Sequence, residues 1–277
     1  MRTKRILLLF VSLLLCAIQG FAYQIQEIKV WSKSMKKPIP VNIITPQSYS
    51  TNHTYPTIYL LHGHGDNHKG WSRGEVVGKL ADIYNIVVVM PDGGHDSWYF
   101  DSPVEQGYCY ETFVSKELIP YVDHNYATIK DRRFRAITGL SMGGHGAFYI
   151  AFRHQDLFAN VGSLSGGLDI RPFPKNWNIA GRLGAYDKYP ERWEESTVIN
   201  MTHLLKPGQL NITFECGASD FFYQVNCNMH KKLLEAGIPH DFTSRPGGHS
   251  WNYWLNGIKY QFLYFSERFN DYLKEKH

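Results

Sequence analysis

A serine in a glycine-rich turn is the first group in this 277-residue sequence whose surroundings point to chemistry. Residues 139–143 read Gly-Leu-Ser-Met-Gly and fit the pattern G-x-S-x-G. The apolar run 135–138 predicts a strand before this pattern, and residues 144–148 predict the start of a helix after it. A sharp turn from strand to helix needs small flanking residues and lifts the serine hydroxyl above the sheet. We therefore predict that Ser141 is a nucleophile.

The serine needs a base, because a hydroxyl is a weak nucleophile until its proton is accepted. His249 is the candidate base, since it follows the predicted strand 242–245 within a Gly-Gly-His loop that allows close approach to the serine. Asp220, after the predicted strand 212–215, is the candidate for the acid that orients the imidazole, in the chain order serine, acid, histidine. Its alternative role is to cap the following helix. Asp241, the rival acid, falls at the wrong end of its strand.

Two N–H donors are expected to stabilise the oxyanion that forms when an ester carbonyl is attacked. We assign the backbone N–H of Met142, next after the serine, and the backbone N–H of His64, in the glycine-containing loop after residues 57–61. His62, His64 and His68 are spaced closely enough to suggest a metal site instead. No HExxH helix or cysteine pair accompanies them, so we predict no metal, and the chemistry requires no cofactor.

Strands and helices alternate along the chain and must position these residues. Short apolar or alternating runs predict strands at 25–31, 39–44, 57–61, 86–90, 135–138, 161–164, 212–215 and 242–245. Helical apolar spacing recurs at 75–84, 110–121, 146–152, 223–236 and 260–273. This alternation predicts an α/β fold with a mostly parallel central sheet and helices on both faces. Residues 23–277 are predicted to form one domain, in which 166–193 is a lid or excursion over the active site.

The amino terminus predicts export. Residues 1–22 combine a basic start, an apolar run at 6–18 and small residues before a cleavage site after Ala22. A retained membrane anchor is the alternative, although the run is too short to span a bilayer comfortably. Cleavage removes three positive and no negative charges, so the formal net charge falls from +4 to 4 − 3 = +1. No basic patch remains to predict nucleic-acid binding. The predicted location is secreted or periplasmic.

Three cysteines remain after the predicted cleavage, at positions 109, 216 and 227. An odd number in a chain of this length does not predict a disulfide framework. Cys216 and Cys227 either pair in an oxidising compartment or stay as buried free thiols, and the sequence leaves both open.

Several segments together resemble the esterase D-like branch of the α/β hydrolases. That branch includes the carbohydrate esterase family 1 feruloyl and acetylxylan esterases, tributyrin esterase, S-formylglutathione hydrolase and the antigen 85 mycolyltransferases. The matching segments span nearly the whole mature chain, at 59–63, 90–94, 97–99, 139–146, 216–217, 220, 248–249 and 251. The resemblance implies the α/β-hydrolase fold, a small-molecule or glycan ester as substrate and no cofactor.

The resemblance also assigns roles to single residues. It implies a catalytic triad of Ser141, Asp220 and His249. It implies oxyanion donors on His64 and Met142, although His64 stands where relatives often have an apolar residue. It further implies that three aromatic residues line the acyl or alcohol site, with packing in the core as their alternative role: Trp98, Tyr99 and Trp251.

The expected reaction is two-step acyl transfer from an ester through an acyl-enzyme on Ser141. Export and an aromatic fraction of 15% favour a feruloyl or acetyl ester on a plant glycan. The alternatives are an acyltransferase of the antigen 85 type, a general short-chain aliphatic esterase and, in a different class, an inactive glycan-binding module. A signal peptide disfavours S-formylglutathione hydrolase activity. The sequence does not predict the oligomeric state.

Overall fold

The computed structural model describes residues 22–275, and within them the strands form an eight-stranded sheet in the order β1-β2-β4-β3-β5-β6-β7-β8. The strands are β1 (Gln24–Ser32), β2 (Lys37–Thr45), β3 (Thr57–Leu61), β4 (Val87–Pro91), β5 (Arg135–Gly139), β6 (Asn160–Leu164), β7 (Asn211–Gly217) and β8 (Asp241–Arg245). β1 and β2 form an antiparallel hairpin, and β2 is also antiparallel to β4. The remaining neighbours are parallel. The predicted α/β class with a mostly parallel sheet is confirmed.

Helices connect the strands. The α-helices are α1 (Val76–Tyr84), α2 (Tyr110–Thr112), α3 (Ile119–Asn125), α4 (Met142–Arg153), α5 (Ile179–Leu183), α6 (Pro190–Ser196), α7 (Tyr223–Glu235) and α8 (Trp251–Lys274). A π-helical stretch, Phe113–Leu118, joins α2 to α3, and short 3₁₀ segments cover Gly70–Glu75, Arg132–Phe134 and Val198–Leu204.

The sheet separates two hydrophobic cores, one on each face. Alternate residues of β3 point to opposite faces, as strand geometry requires. Tyr59 and Leu61 pack in the core that includes α4 and α7, whereas Ile58 and Leu60 pack in the core that includes α1 and α8. Because both faces are covered, the central strands read as continuous apolar runs in the sequence.

The helix predicted at 260–273 is longer in the structure, where α8 begins at Trp251. Gly257 interrupts its apolar spacing, and glycine lowers helix propensity. The structure gives the reason for a glycine here, since a Cβ at position 257 would lie 1.9 Å from Oε1 of Glu215. Close packing against β7 therefore determines the residue, and tertiary contacts keep the helix continuous through it.

The segment 166–193 leaves the carboxyl end of β6 and includes α5 and the first part of α6. Arg182 of α5 is buried, and its Nη2 lies 2.8 Å from Oδ1 of Asp96. The same guanidinium bonds to Glu105 and stacks on Tyr108, with 3.5 Å between its Cζ and the ring centroid. The segment is therefore anchored to the loop between β4 and α2. Its role as a lid stays a prediction.

The predicted signal peptide, residues 1–22, lies outside the described residues except for Ala22. Tyr23 is the residue before β1, and its backbone N–H donates to Oδ2 of Asp82 at 3.0 Å. Between residues 22 and 275, none of the helices is long and apolar enough to cross a membrane.

Candidate active site

The turn between β5 and α4 places Ser141 in a backbone conformation that side chains rarely adopt, with φ 54° and ψ −116°. Its N–H donates to the Leu164 carbonyl at 2.9 Å, which fixes the turn against β6. A Cβ on Gly139 or Gly143 would lie 2.6 or 2.5 Å from the carbonyl oxygen of Leu61. Both glycines are therefore required by the close approach of β3, and the G-x-S-x-G pattern has a steric cause.

The structure brings the three side chains of the predicted triad into one hydrogen-bonded series. Nε2 of His249 lies 2.9 Å from Oγ of Ser141. Nδ1 of His249 lies 2.9 Å from Oδ2 and 3.1 Å from Oδ1 of Asp220. Because the carboxylate accepts the Nδ1–H, Nε2 is left to accept the proton of the serine hydroxyl. Their loops follow β5, β7 and β8, so the carboxyl ends of three parallel strands in the same half of the sheet supply the groups.

Burial and a hydrogen bond from a backbone N–H fix the position of the Asp220 carboxylate. The side chain of Asp220 is fully buried, and its Oδ1 accepts the N–H of Phe222 at 2.8 Å. Phe222, not Asp220, is the N-cap residue of α7, and no side chain caps that helix, so the alternative role of Asp220 as a cap is not observed. Asp241, the rival acid, is exposed at the first residue of β8, the end away from Ser141.

The backbone N–H groups of His64 and Met142 are the predicted oxyanion donors, and both residues lie close to Ser141 in the structure. Met142 is the first residue of α4, and His64 lines the same cavity as Ser141. Within the part of the chain that the structure describes, neither N–H donates a backbone hydrogen bond. A Cβ on Gly63 would lie 2.5 Å from Cδ1 of Leu140, so glycine allows the loop to approach the serine turn. Two free donors next to the serine can stabilise an oxyanion.

Of the three histidines that suggested a metal site, His62 and His64 have contacts of another kind. His62 is buried, its Nδ1 lies 2.8 Å from the Gly63 carbonyl, and its Nε2 accepts the N–H of Gly93 at 2.7 Å. Both ring nitrogens are therefore used by the backbone. Burial lowers the pKa of His64, and His95 lowers it further, since the ring centroids are 4.8 Å apart. Residues 22–275 contain no group of three or more His, Cys, Asp or Glu that could hold a metal ion.

The cavity beside Ser141, which we call the catalytic cavity, has a volume of about 270 Å³. Trp251 lies in its wall, as the resemblance implied. Trp98 and Tyr99 do not line it and are 1% and 0% exposed. This corrects the expectation that these two rings contact substrate. Trp98 instead supports the wall from behind, because its Nε1–H donates to the Trp177 carbonyl at 3.2 Å.

Four further residues of the catalytic cavity were missed by the sequence analysis, namely Asp66, Trp177, Phe221 and Trp254. Phe221 directly follows Asp220, and Trp254 lies one helical turn after Trp251, so sequence proximity to the triad was an available signal. For Trp177, the only signal in the sequence was the aromatic composition of the segment that contains it. It reaches the site because its ring stacks on Phe221, with 5.4 Å between centroids and 23° between planes.

The cysteines of the described chain, Cys109, Cys216 and Cys227, are free thiols in the structure. Of the two alternatives for Cys216 and Cys227, the structure therefore has the unpaired form. Burial raises the pKa of the Cys216 thiol, so it stays protonated and unreactive.

Comparisons with known proteins identify the family. The family model described as "Putative esterase" matches residues 32–263. An acetyl esterase of Caldicellulosiruptor saccharolyticus is 27% identical over 265 residues, which cover 88% of this chain and 98% of that protein. The diacylglycerol acyltransferase/mycolyltransferase Ag85A of Mycobacterium leprae is 32% identical over 277 residues, covering 85% of this chain and 81% of that protein.

A solved structure of a ferulic acid esterase superposes with a TM-score of 0.77 at 26% identity, covering 90% of this chain and 99% of that one. The structural match and the family model agree with the resemblance drawn from the sequence. The protein therefore belongs to this esterase family, has the α/β-hydrolase fold and is a carboxylic ester hydrolase.

Proposed function

We propose that the protein removes feruloyl or acetyl groups from plant glycans through an acyl-enzyme on Ser141. The observation that carries this proposal is the unbroken hydrogen-bonded series from Ser141 Oγ through His249 to Asp220, at 2.9 Å for each step. This series lies at a cavity with four aromatic residues in its wall: Trp177, Phe221, Trp251 and Trp254.

In the first step, Oγ of Ser141 attacks the ester carbonyl while Nε2 of His249 accepts the hydroxyl proton. A C–O bond forms, and the carbonyl oxygen becomes an oxyanion that the N–H groups of His64 and Met142 stabilise. Asp220 stabilises the imidazolium without itself taking the proton. The tetrahedral intermediate then collapses, the bond to the alcohol breaks, and His249 returns the proton to the leaving alcohol.

In the second step, water attacks the acyl-enzyme. His249 accepts a proton from the water, the same two donors stabilise the second oxyanion, and Ser141 leaves with the proton restored. The free acid and the resting enzyme result. This chemistry uses side chains and backbone amides of the protein.

The aromatic wall supports an aryl acyl group, since offset or edge-to-face ring contacts add to the burial of apolar area. The names of two relatives give two acyl groups, acetyl for one and ferulic acid for the other. Both fit the same reaction at Ser141. The choice between them depends on how much of the cavity the acyl group fills.

The test combines labelling with a substrate panel. A fluorophosphonate should modify Ser141 stoichiometrically, as located by peptide mass spectrometry, and Ser141→Ala should prevent both labelling and turnover. Methyl ferulate, feruloylated arabino-oligosaccharides, acetylated xylo-oligosaccharides and p-nitrophenyl acetate are then compared by kcat/KM. Activity confined to simple aliphatic esters would remove the glycan part of the proposal. Turnover by Ser141→Ala at the wild-type rate would remove its mechanism.

Acyl transfer to a sugar is the second candidate, favoured by the 32% identity to a mycolyltransferase. The two reactions share the first step and differ in whether water or a sugar hydroxyl attacks the acyl-enzyme. Product analysis with trehalose present separates them, because transfer yields an acylated sugar and hydrolysis yields free acid. Glycan binding with no turnover of any ester would instead indicate an inactive binding module.

A further inference from the structure

A second cavity, which we call the polar cavity, lies next to the catalytic cavity and is not used in the mechanism above. Its volume of about 380 Å³ falls within the range of about 300–1,000 Å³ typical of small-molecule sites. It lies where the end of β4 meets β2 and the start of α2. Its lining residues are Lys37, Pro38, Ile39, Pro40, Asp66, Asp92, Gly94, His95 and Tyr110.

The two cavities meet at the loop that carries the predicted oxyanion donor. Asp66 lines both cavities. His64, in the catalytic cavity, and His95, in the polar cavity, have ring centroids 4.8 Å apart. The N–H of Gly65 donates to the His95 carbonyl at 2.8 Å, which joins the two loops. Asp66 and the joined loops therefore form the wall that the two cavities share.

The polar cavity offers groups that bind hydroxyls. Asp66 and Asp92 have side chains 16% and 26% exposed, so their carboxylate oxygens are within reach of a ligand. Lys37 is held over the rings of Tyr108 and Tyr110, with Nζ 5.1 and 5.4 Å from the centroids. Ammonium and carboxylate groups donate to and accept from sugar hydroxyls, and charged partners make the stronger hydrogen bonds.

The charge of the polar cavity limits what it can bind. The lining carries the Asp66 and Asp92 carboxylates and the Lys37 ammonium, and Asp66 is also paired with Arg73, with Nη2 3.4 Å from Oδ2. The opposite charges balance, so the cavity favours a ligand with no net charge. Burial raises the pKa of Tyr110, so its phenol stays a neutral hydroxyl group. Tyr110 is the one Phe, Tyr or Trp side chain in the lining of the polar cavity, whereas the catalytic cavity has four such side chains. The polar cavity therefore suits a hydroxyl-rich ligand better than an aryl group.

We infer that the polar cavity binds the sugar on the alcohol side of the ester, and that this sugar is neutral. The acyl group then occupies the catalytic cavity against Trp177 and Phe221, which do not line the polar cavity. This assignment rests on the proposed function and deepens it, because it separates acyl recognition from alcohol recognition. It makes His95 and Lys37 specificity residues for the sugar.

The experiment compares, for one acyl group at a time, the sugar ester with an ester of a small alcohol. The pairs are feruloyl arabinose with methyl ferulate, and acetylated xylotriose with ethyl acetate. The wild-type protein should prefer the sugar ester by kcat/KM. His95→Ala and Lys37→Met should each lower this preference about three- to tenfold, through KM and not kcat, as loss of one hydrogen bond predicts. A feruloyl ester of glucuronate should be cleaved less efficiently than that of arabinose.

His203→Ala is the matched control, because His203 is exposed and lines neither cavity. Its preference should equal that of the wild type, and unfolding temperatures of all variants identify any that are misfolded. Equal preference in the wild type and both cavity variants overturns the inference even if every ester is hydrolysed. A better rate with glucuronate overturns the neutral-sugar part. Failure to cleave any of the four esters contradicts the proposed function instead, so the two failures are distinguishable.

Discussion

At the scale of single residues, the site depends on side chains whose positions are determined by contacts rather than by flexibility. Ser141 adopts a positive φ, a backbone state that costs on the order of 1–3 kcal/mol and persists only where its surroundings impose it. The imidazole of His249 is bordered by Phe221 and Trp254, with ring centroids 4.2 and 4.8 Å away. The hydrogen bonds to Asp220 and these ring contacts together fix its orientation, which favours proton transfer in a single geometry.

Trp177 is the residue whose removal should separate aryl from acetyl substrates. Trp177→Ala removes the ring that stacks on Phe221 in the catalytic cavity. An aromatic pair contributes about 0.5–1.5 kcal/mol beyond its buried area. We therefore expect kcat/KM for methyl ferulate to fall about threefold to tenfold more than kcat/KM for p-nitrophenyl acetate.

Trp31→Ala is the control for this comparison, because Trp31 is 59% exposed on β1 and lines neither cavity. It should leave the ratio of the two substrates unchanged. An equal fall for both esters in Trp177→Ala would show that the ring acts on folding or on the triad rather than on the acyl group.

At the scale of elements, helix α4 connects the serine turn to α6, the helix that begins within the segment 166–193. His145 lies in its first turn and is buried, with Trp98, Phe100 and Tyr149 around its ring. Its Nε2–H donates to the Ser196 carbonyl at the end of α6, at 3.1 Å. A neutral imidazole therefore links the two elements.

The burial of His145 predicts acid sensitivity of the fold. Burial lowers its pKa to about 4, against the opposing effect of the hydrogen bond to the Ser196 carbonyl, whereas the unfolded chain has the ordinary value of 6.5. Between these values the unfolded state binds a proton that the folded state does not, so stability falls as the pH is lowered from 6.5 towards 4. The loss from this one group is about 3 kcal/mol at pH 4.

His145→Gln should flatten this dependence, since an amide can donate to Ser196 and does not titrate. The free energy of unfolding, measured with urea between pH 6.5 and 4.5, should fall less steeply in the variant than in the wild type. His53→Gln is the control, because His53 is exposed. Parallel curves for His145→Gln and the wild type would contradict the prediction.

At the scale of the whole molecule, the sheet gathers groups that are far apart in the chain. The triad side chains come from positions 141, 220 and 249, and the predicted oxyanion loop from position 64. Parallel strands end at the same edge of a sheet, so each loop after such a strand lies near the next. The two hydrophobic cores pack against the two faces of the sheet and so fix this edge. The segment 166–193, which is not part of the sheet, contributes Trp177 to the catalytic cavity.

Processing of the amino terminus is a property of the full chain and has a direct test. We expect cleavage after Ala22 on export, which makes Tyr23 the first residue. Its nitrogen lies 3.0 Å from Oδ2 of Asp82, so the new ammonium group would be adjacent to a carboxylate. Amino-terminal sequencing of the protein exported by a bacterial host should begin at Tyr23.

Ala22→Arg should block this processing, because signal peptidase requires a small residue before the cleavage site. Ala17→Gly, within the apolar run, is the control and should be processed normally. An unprocessed chain retained in the membrane fraction would support the anchor alternative and contradict export by cleavage.

Local patterns were sufficient for much of the fold and for selecting the three side chains that the structure joins by hydrogen bonds. The apolar runs that became β3, β4, β5 and β6 are buried throughout, as expected for a sheet covered on both faces. Ser141 was recognisable from the glycines that flank it in the G-x-S-x-G pattern. Asp220 and His249 each follow a strand, and the order of the strands in the sheet determines where their loops lie. The boundaries of α8 were less readable, because Gly257 reflects a contact with Glu215 that no local pattern contains.

The walls of the cavities required the folded chain. Trp98 and Tyr99 were expected to face substrate, yet both are buried, and Trp98 lies behind Trp177, which no spacing rule connected to Ser141. The polar cavity likewise joins β2, the loop after β3 and the loop after β4, through Asp66. Periodicity and turn chemistry act over a few residues and suffice to specify strands, helices and the serine turn. The direction in which an aromatic ring faces depends on packing between segments distant in sequence, so the structure alone assigned these walls.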